Sequence, residues 1–313
     1  MTGGRPAVPD RSAAPDALSR RAELRDWLEG AEGLLLGLDF DGTLAPIVED
    51  HTEAAMAPDA RDAVGRLAAH PGVALAVVSG RALDDLTGRV DVEGAVYAGN
   101  HGLELAHEGE RAVHPDVEGI GPEIDRLCAE LDDRLGDVPC YAAENKRVTA
   151  TVHYRTTPEE HVPRVVGTVE RVVDGFDGLR VTEGRAIREV RPAVEWDKGR
   201  VVELLAGTTP PGWRVMYVGD DTTDEDAFRA IRPDGVGVRV DPPGADGTRG
   251  TDGTAASYCL GEQAAVPRFL EWLEATAPRP DPAGGVERAA ETGWPGRNPV
   301  ERARRSPPDG PGP

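Results

Sequence analysis

The sequence has 313 residues, with 35 basic and 56 acidic side chains and a formal net charge of −21. Binding a nucleic-acid backbone needs clustered positive charge, so nucleic acid is excluded as a partner, whereas a few cations focused in one cleft can still hold a small phosphate ester. No apolar run reaches the length of a membrane span and no hydrophobic signal core opens the chain, so a cytoplasmic protein without a membrane partner is expected.

Residues 1–17 and 277–313 are rich in Pro, Gly, Ala, Asp and Arg without apolar periodicity, and are expected to be disordered tails. The body opens with Leu-Leu-Leu-Gly-Leu-Asp-Phe at 34–40, an apolar run that stops at acids and glycine, as a central parallel strand does. Helical spacing follows over Pro58–His70, then a second buried strand over Val73–Val78 that ends at Ser79-Gly80-Arg81. Such alternation predicts a doubly wound α/β fold.

From about Leu103 to Val190 the pattern changes. Two helices, near Val117–Leu135 and Pro158–Val173, accompany alternating segments at 147–155 and 186–190. The first style then returns with strands at 214–220, 236–240 and 258–260 and a helix near 262–274. An α/β core over 18–105 and 191–276 with an inserted α+β cap over 106–190 is therefore expected. Cys128, Cys140 and Cys259 are widely spaced, as buried small hydrophobes rather than a disulfide or metal set.

In a parallel sheet, ligands bind at the carboxyl ends of the strands. Three apolar strands here end in Asp39 and Asp41, in Ser79, and in Asp220 and Asp221. Two carboxylates at i and i+2 can share one side where a strand ends, and Gly42 permits a sharp turn after them. Alone, such acids are as well explained as caps and turns. Lysine is a second signal: among 35 basic residues only Lys146 and Lys198 are lysines, the rest being arginines. A compact ammonium and a planar guanidinium are not interchangeable in a tight site.

The string Asp39-Phe40-Asp41-Gly42-Thr43-Leu44 after a buried strand resembles the first motif of the haloacid dehalogenase-like phosphohydrolases, and the family's later motifs follow in order. The resemblance implies that Asp39 attacks phosphorus and that Asp41 is general acid and then base, with Lys198 holding the charge of nucleophile and phosphoryl group. It implies phosphate binding by Ser79, Gly80 and Thr43. Mg²⁺ would be held by Asp39, the Asp41 carbonyl and Asp220, with Asp221 and Asp224 behind them. It also implies a parallel-sheet core carrying a cap.

Further strings resemble the trehalose-6-phosphate phosphatases: Ser79-Gly80-Arg81, Gly99-Asn100-His101-Gly102-Leu103-Glu104, His153-Tyr154-Arg155, Glu189-Val190-Arg191-Pro192 with Asp197-Lys198-Gly199, and Gly219 to Glu225. The resemblance covers about Leu34 to Leu273. It implies a Mg²⁺-dependent hydrolysis of trehalose 6-phosphate, with Glu144, Lys146 and Glu189 of the cap on the sugar hydroxyls. Asn145 stands where the family usually has an acid. Arg155, Asn100 and His101 are further candidates for the cleft, His101 not as a base because Asp41 fills that role. A small sugar phosphate is the expected partner and a monomer the expected state. Two alternatives stay open: a phosphatase for another sugar phosphate, such as glucosylglycerol phosphate or sucrose 6-phosphate, and a non-catalytic sugar-phosphate-binding regulator.

Overall fold

The computed structural model describes residues 14–48, 50–184, 186–241, 254–279 and 294–305. Helix Arg21–Leu28 (α1) leads into strand Gly33–Leu38 (β1), then Pro58–Ala69 (α2), Val73–Val78 (β2), Leu83–Val90 (α3) and Val96–Gly99 (β3). A hairpin of Glu104–His107 (β4) and Glu110–Val113 (β5) follows. Next come Gly121–Leu135 (α4), Ala142–Asn145 (β6), Ala150–His153 (β7), Val162–Val173 (α5), Leu179–Gly184 (β8) and Ile187–Pro192 (β9). The chain then forms Lys198–Ala206 (α6), Trp213–Gly219 (β10), Asp224–Ala230 (α7), Val236–Val240 (β11), Tyr258–Leu260 (β12), Val266–Thr276 (α8) and Pro299–Arg305 (α9).

Eight strands make one sheet in the order β12-β11-β10-β1-β2-β3-β4-β5, parallel from β12 through β3 and antiparallel in β4 and β5. Every residue of β1 is buried, as a strand covered on both faces requires. Strand alternation sends Leu34, Leu36 and Leu38 into one core layer with Leu67, Phe269 and Leu270, while Leu35 enters the other with Val201, Leu205 and Phe228. Gly37 has no side chain because the Tyr217 ring lies across it.

A second, antiparallel sheet has the order β6-β7-β9-β8. Its own core joins Val152 and Val190 to Ile124, Leu127 and Leu131 of α4 and to Val165, Val169 and Val172 of α5. Those spacings give each helix one apolar stripe. Both helices start four residues later than their patterns suggest, with Pro122 and Pro163 in the first turn, where a missing N–H costs nothing.

Three expectations need correction. The chain does not enter the second layer at residue 106, because Leu105 and Ala112 bury against the main core and β4 and β5 extend the main sheet. Within the expected tails, Ala17 is buried and its amide donates to the Cys259 carbonyl; the expected disorder over residues 1–13, 280–293 and 306–313 falls outside the described residues. Of the C-terminal segment, Trp294, Val300 and Ala303 are buried in the main core. The Trp294 indole donates to Thr208 Oγ1 at 3.1 Å, and its ring meets that of His107 edge-on at 5.8 Å. A few apolar side chains in a polar segment, too sparse to show a period, anchor it. Of the cysteines, Cys128 is buried and Cys140 exposed.

Among the described residues no helix is long and apolar enough to cross a membrane. Trp294→Ala is expected to lower stability by about 3–5 kcal/mol, read from the midpoint of urea unfolding. An unchanged midpoint would show that this segment does not stabilise the core.

Candidate active site

Strands β10, β1 and β2 are parallel neighbours, with Leu38 in register with Val218 on one side and Val77 on the other. Their carboxyl ends therefore lie together, and the next residues, Asp220, Asp39 and Ser79, emerge on one edge. The Asp39 amide still donates to the Val218 carbonyl at 2.9 Å, which fixes where its carboxylate begins. Gly42 turns the chain with φ near +83°, and a Cβ there would collide with the Asp220 carboxylate. Glycine is thus required twice over, for backbone conformation and for space.

Lys198 is the first residue of α6, whose start is capped by Asp197 accepting from the Arg200 amide at 2.9 Å. That start aims the Lys198 side chain inward. Its ammonium lies 2.7 Å from Asp39 Oδ1 and 2.7 Å from Asp224 Oδ1, with all three groups buried. Asp224 is fully engaged: Oδ1 also accepts from the Tyr217 hydroxyl at 2.8 Å, and Oδ2 accepts from the amides of Asp220 and Asp221, each at 3.0 Å. Asp221 turns the other way and accepts from the Thr223 amide and hydroxyl.

The electrostatics follow from burial. Asp39, Asp220 and Asp224 place carboxylate oxygens within 4.8 Å of one another. Burial pushes the Asp39 carboxyl well up, against the pull of Lys198, and it raises Asp224 in the same way. Burial, then the charges of Asp221 and Asp224, push Asp220 up to about 7. For Asp221, burial is outweighed by Lys198 and the Thr223 hydrogen bonds, which hold it at about 2. Burial alone would lower Lys198, yet Asp224 and Asp39 drive it well above the usual range. Negative charge therefore exceeds what one ammonium balances, which suits an oxygen donor set for a hard cation.

Asp41 points elsewhere. Both its oxygens take hydrogen bonds from Arg81, from Nε and Nη2 at 2.7 Å each, while Arg81 Nη1 reaches Asp85 at 2.7 Å and Nη2 also reaches the His51 carbonyl. Arg81 entered the sequence reading only inside a string; no spacing rule shows that it would clamp Asp41. Ser79 is buried, with its hydroxyl accepting from the Arg81 amide at 3.2 Å. Thr43 is buried, its hydroxyl has no partner among the described residues, and its carbonyl accepts from Gln263.

The small sheet meets the main layer at Gly80. Lys146 donates to the Gly80 carbonyl at 3.0 Å, and Glu189 sits 4.0 Å from that ammonium and 3.0 Å from His101 Nε2. Burial would raise Glu189, but His101, Lys146 and Arg191 hold it down at about 2. A Cβ on Gly80 would press into the His101 ring, so the loop and the histidine fit one another. Asn100, fully buried, donates to Glu104 and to the Lys146 carbonyl and accepts from Thr149; it ties the two sheets together rather than facing a cleft. Glu144 and Glu189 both stand in register with Thr151 of β7, one on each side of it, and Glu144 pairs with His153 at 2.9 Å. Arg155 is exposed and donates to the Val48 carbonyl at 3.0 Å. Tyr217, which orients Asp224, was not foreseen, because a tyrosine inside a buried strand looks like core.

Residues 37–263 match the family model described as trehalose-phosphatase. A trehalose-phosphate phosphatase of Mycobacterium tuberculosis is 39% identical over 267 residues, covering 84% of this chain. The chain spans 66% of that relative's length. The C-terminal domain of a trehalose-6-phosphate phosphatase from C. albicans superposes with a TM-score of 0.67 at 23% identity, over 84% of this chain and 99% of that one. A haloacid dehalogenase-like hydrolase from Bacteroides thetaiotaomicron shares the fold, with a TM-score of 0.51 at 16% identity over 77% of this chain and 99% of its own. With nearly three quarters of its length inside the family model, the chain belongs to the trehalose-phosphatase family.

Proposed function

We propose that this chain hydrolyses trehalose 6-phosphate to trehalose and inorganic phosphate through a phosphoryl-aspartate at Asp39. The observation that carries the proposal is the Lys198 ammonium held 2.7 Å from both Asp39 and Asp224, beside Asp220, at the ends of adjacent parallel strands. Family membership supplies the substrate class.

Asp39 Oδ attacks phosphorus and the bond from phosphorus to the sugar oxygen breaks, that oxygen taking a proton from Asp41. Asp41 then removes a proton from water, the water oxygen attacks phosphorus, and the bond to Asp39 breaks to release phosphate. Lys198 holds the nucleophile in place and balances charge as the phosphoryl group arrives. Asp224, tied at four contacts, positions Lys198 and the turn that bears Asp220. Ser79, Gly80 and Thr43 are the candidates for holding phosphate oxygens. The unpartnered Thr43 hydroxyl is a donor without a task in the described structure. For Asp41 to serve as acid, its double hydrogen bond with Arg81 has to loosen when substrate enters.

Mg²⁺ fits the donor set: the Asp39 and Asp220 carboxylates and the Asp41 carbonyl would hold it, and it would neutralise the repulsion between carboxylate and phosphate. Asp224 is a poor candidate for the ion because both its oxygens are already engaged. On this reading the α+β layer between β5 and α6 is the cap, and its Lys146 and Glu189, 4.0 Å apart, are the candidates to offer sugar hydroxyls both donors and acceptors. Glu144 is proposed as a further contact at the same mouth. Closure of this layer over the sugar would exclude water before transfer.

Asp39→Asn is expected to abolish phosphate release while a calorimetric titration still detects substrate binding; substantial residual turnover would remove Asp39 as the nucleophile. Chelation of divalent cations should stop the reaction and added Mg²⁺ restore it, and an unchanged rate under chelation would refute the metal assignment. Lys198→Arg should lose about 10²–10³-fold in kcat, the cost of removing one preorganised charged donor, since a planar fork cannot sit between two carboxylates as an ammonium does. A panel of sugar phosphates assayed for phosphate release decides the substrate. Equal turnover of several unrelated esters would defeat the trehalose assignment, and no turnover of any would favour a binding regulator.

A further inference from the structure

Two groups of three side chains among the described residues could hold a metal ion, and only one carries nitrogen: His51, Glu144 and His153. His51 opens the short 3-10 turn His51–Glu53 between β1 and α2, in the main layer. Glu144 and His153 stand on β6 and β7, whose register pairs Glu144 with Thr151 and Ala142 with His153. They are diagonal neighbours on one face of the second sheet. The trio therefore spans the mouth between the two layers.

Its geometry is specific. The imidazoles of His51 and His153 stack with centroids 4.1 Å apart and planes within 6°. Glu144 Oε2 is 2.9 Å from His153 Nε2 and 3.7 Å from His51 Nε2. Each side chain is partly open to solvent, at 42% for His51, 29% for Glu144 and 21% for His153, so an ion can enter and keep water on its free side. Burial, and then the neighbouring His153, lower His51, favouring the neutral ring that ligates metals. Around the trio, Arg81 and Lys146 oppose a cation and Asp50 favours one.

We propose that His51, Glu144 and His153 form a transition-metal site of the Zn²⁺ class that fastens the main layer to the second sheet. Two imidazole nitrogens and one carboxylate oxygen with an open position is a standard donor set for zinc. The three donor atoms already lie within 4.8 Å of one another, and the stacked rings have to rotate out of parallel to aim both in-plane lone pairs at one ion. Mg²⁺ prefers all-oxygen surroundings, so it is directed to the aspartate cluster and the softer ion to this trio. A bound ion links elements that have to part for a sugar phosphate to enter, so it slows turnover. That consequence, unlike the site itself, rests on the phosphatase reading above.

The test adds one equivalent of Zn²⁺ to the full chain in excess Mg²⁺ and reads zinc X-ray absorption together with equilibrium dialysis. Two imidazole ligands per zinc are expected. His51→Phe and His153→Phe, which keep a ring in the stack, should each lose one imidazole and weaken binding by more than about tenfold. Oxygen-only scattering, or affinity unchanged in both variants, would overturn the site. The readout needs no catalysis, so an inactive enzyme would leave it intact. With the site confirmed, zinc that binds the trio without slowing phosphate release would overturn the fastening alone.

Discussion

One buried ammonium holds the site together. Lys198 stands between Asp39 and Asp224, and its removal would leave carboxylates buried without a counter-charge, at a cost of several kcal/mol. Each partner arrives from a different element: Asp39 from the end of β1, Asp224 from the start of α7, Lys198 from the start of α6. The pairing makes sense only if β1 and β10 are neighbours and α6 packs close to their ends. Fold and site are thus one constraint, since the apolar strands bring charges together that the ammonium then makes tolerable.

The same economy extends outward. Tyr217 belongs to the β10 core yet lends its hydroxyl to Asp224, and its ring covers Gly37. Gly42 makes room for the Asp220 carboxylate. Asn100 and Glu189 carry polar contacts between the main sheet and the second sheet, beside Val148, which buries in the main core, and Ile120, which packs against both cores.

Much of this was legible in the sequence. The strands at Val73–Val78, Val236–Val240 and Tyr258–Leu260 were foreseen at their observed limits, because short apolar-rich runs between turn residues leave little choice of boundary. Asp39 and Asp220 stand out as acids that end apolar strands, Lys198 through the scarcity of lysine together with the family resemblance, and Asp224 through that resemblance alone. The scarcity of lysine singled out Lys146 and Lys198, and both ammonium groups are buried beside the same edge. What stayed hidden depends on tertiary pairing. The Arg81 clamp on Asp41 joins residues 40 apart, and the His51–His153 stack joins residues from two layers. The hairpin of β4 and β5 was assigned to the cap because short strands carry no label saying which sheet they extend. Trp294 was lost in a segment whose composition is that of a tail.

The central claim is that Asp39 carries the phosphoryl group. It is tested most directly by acid-quenching the enzyme during steady-state turnover of trehalose 6-phosphate and mapping the phosphoryl group by peptide mass spectrometry. A phosphorylated peptide with the group on Asp39, formed and lost at rates compatible with kcat, is expected. Undiminished turnover with the phosphoryl group on another residue would contradict it.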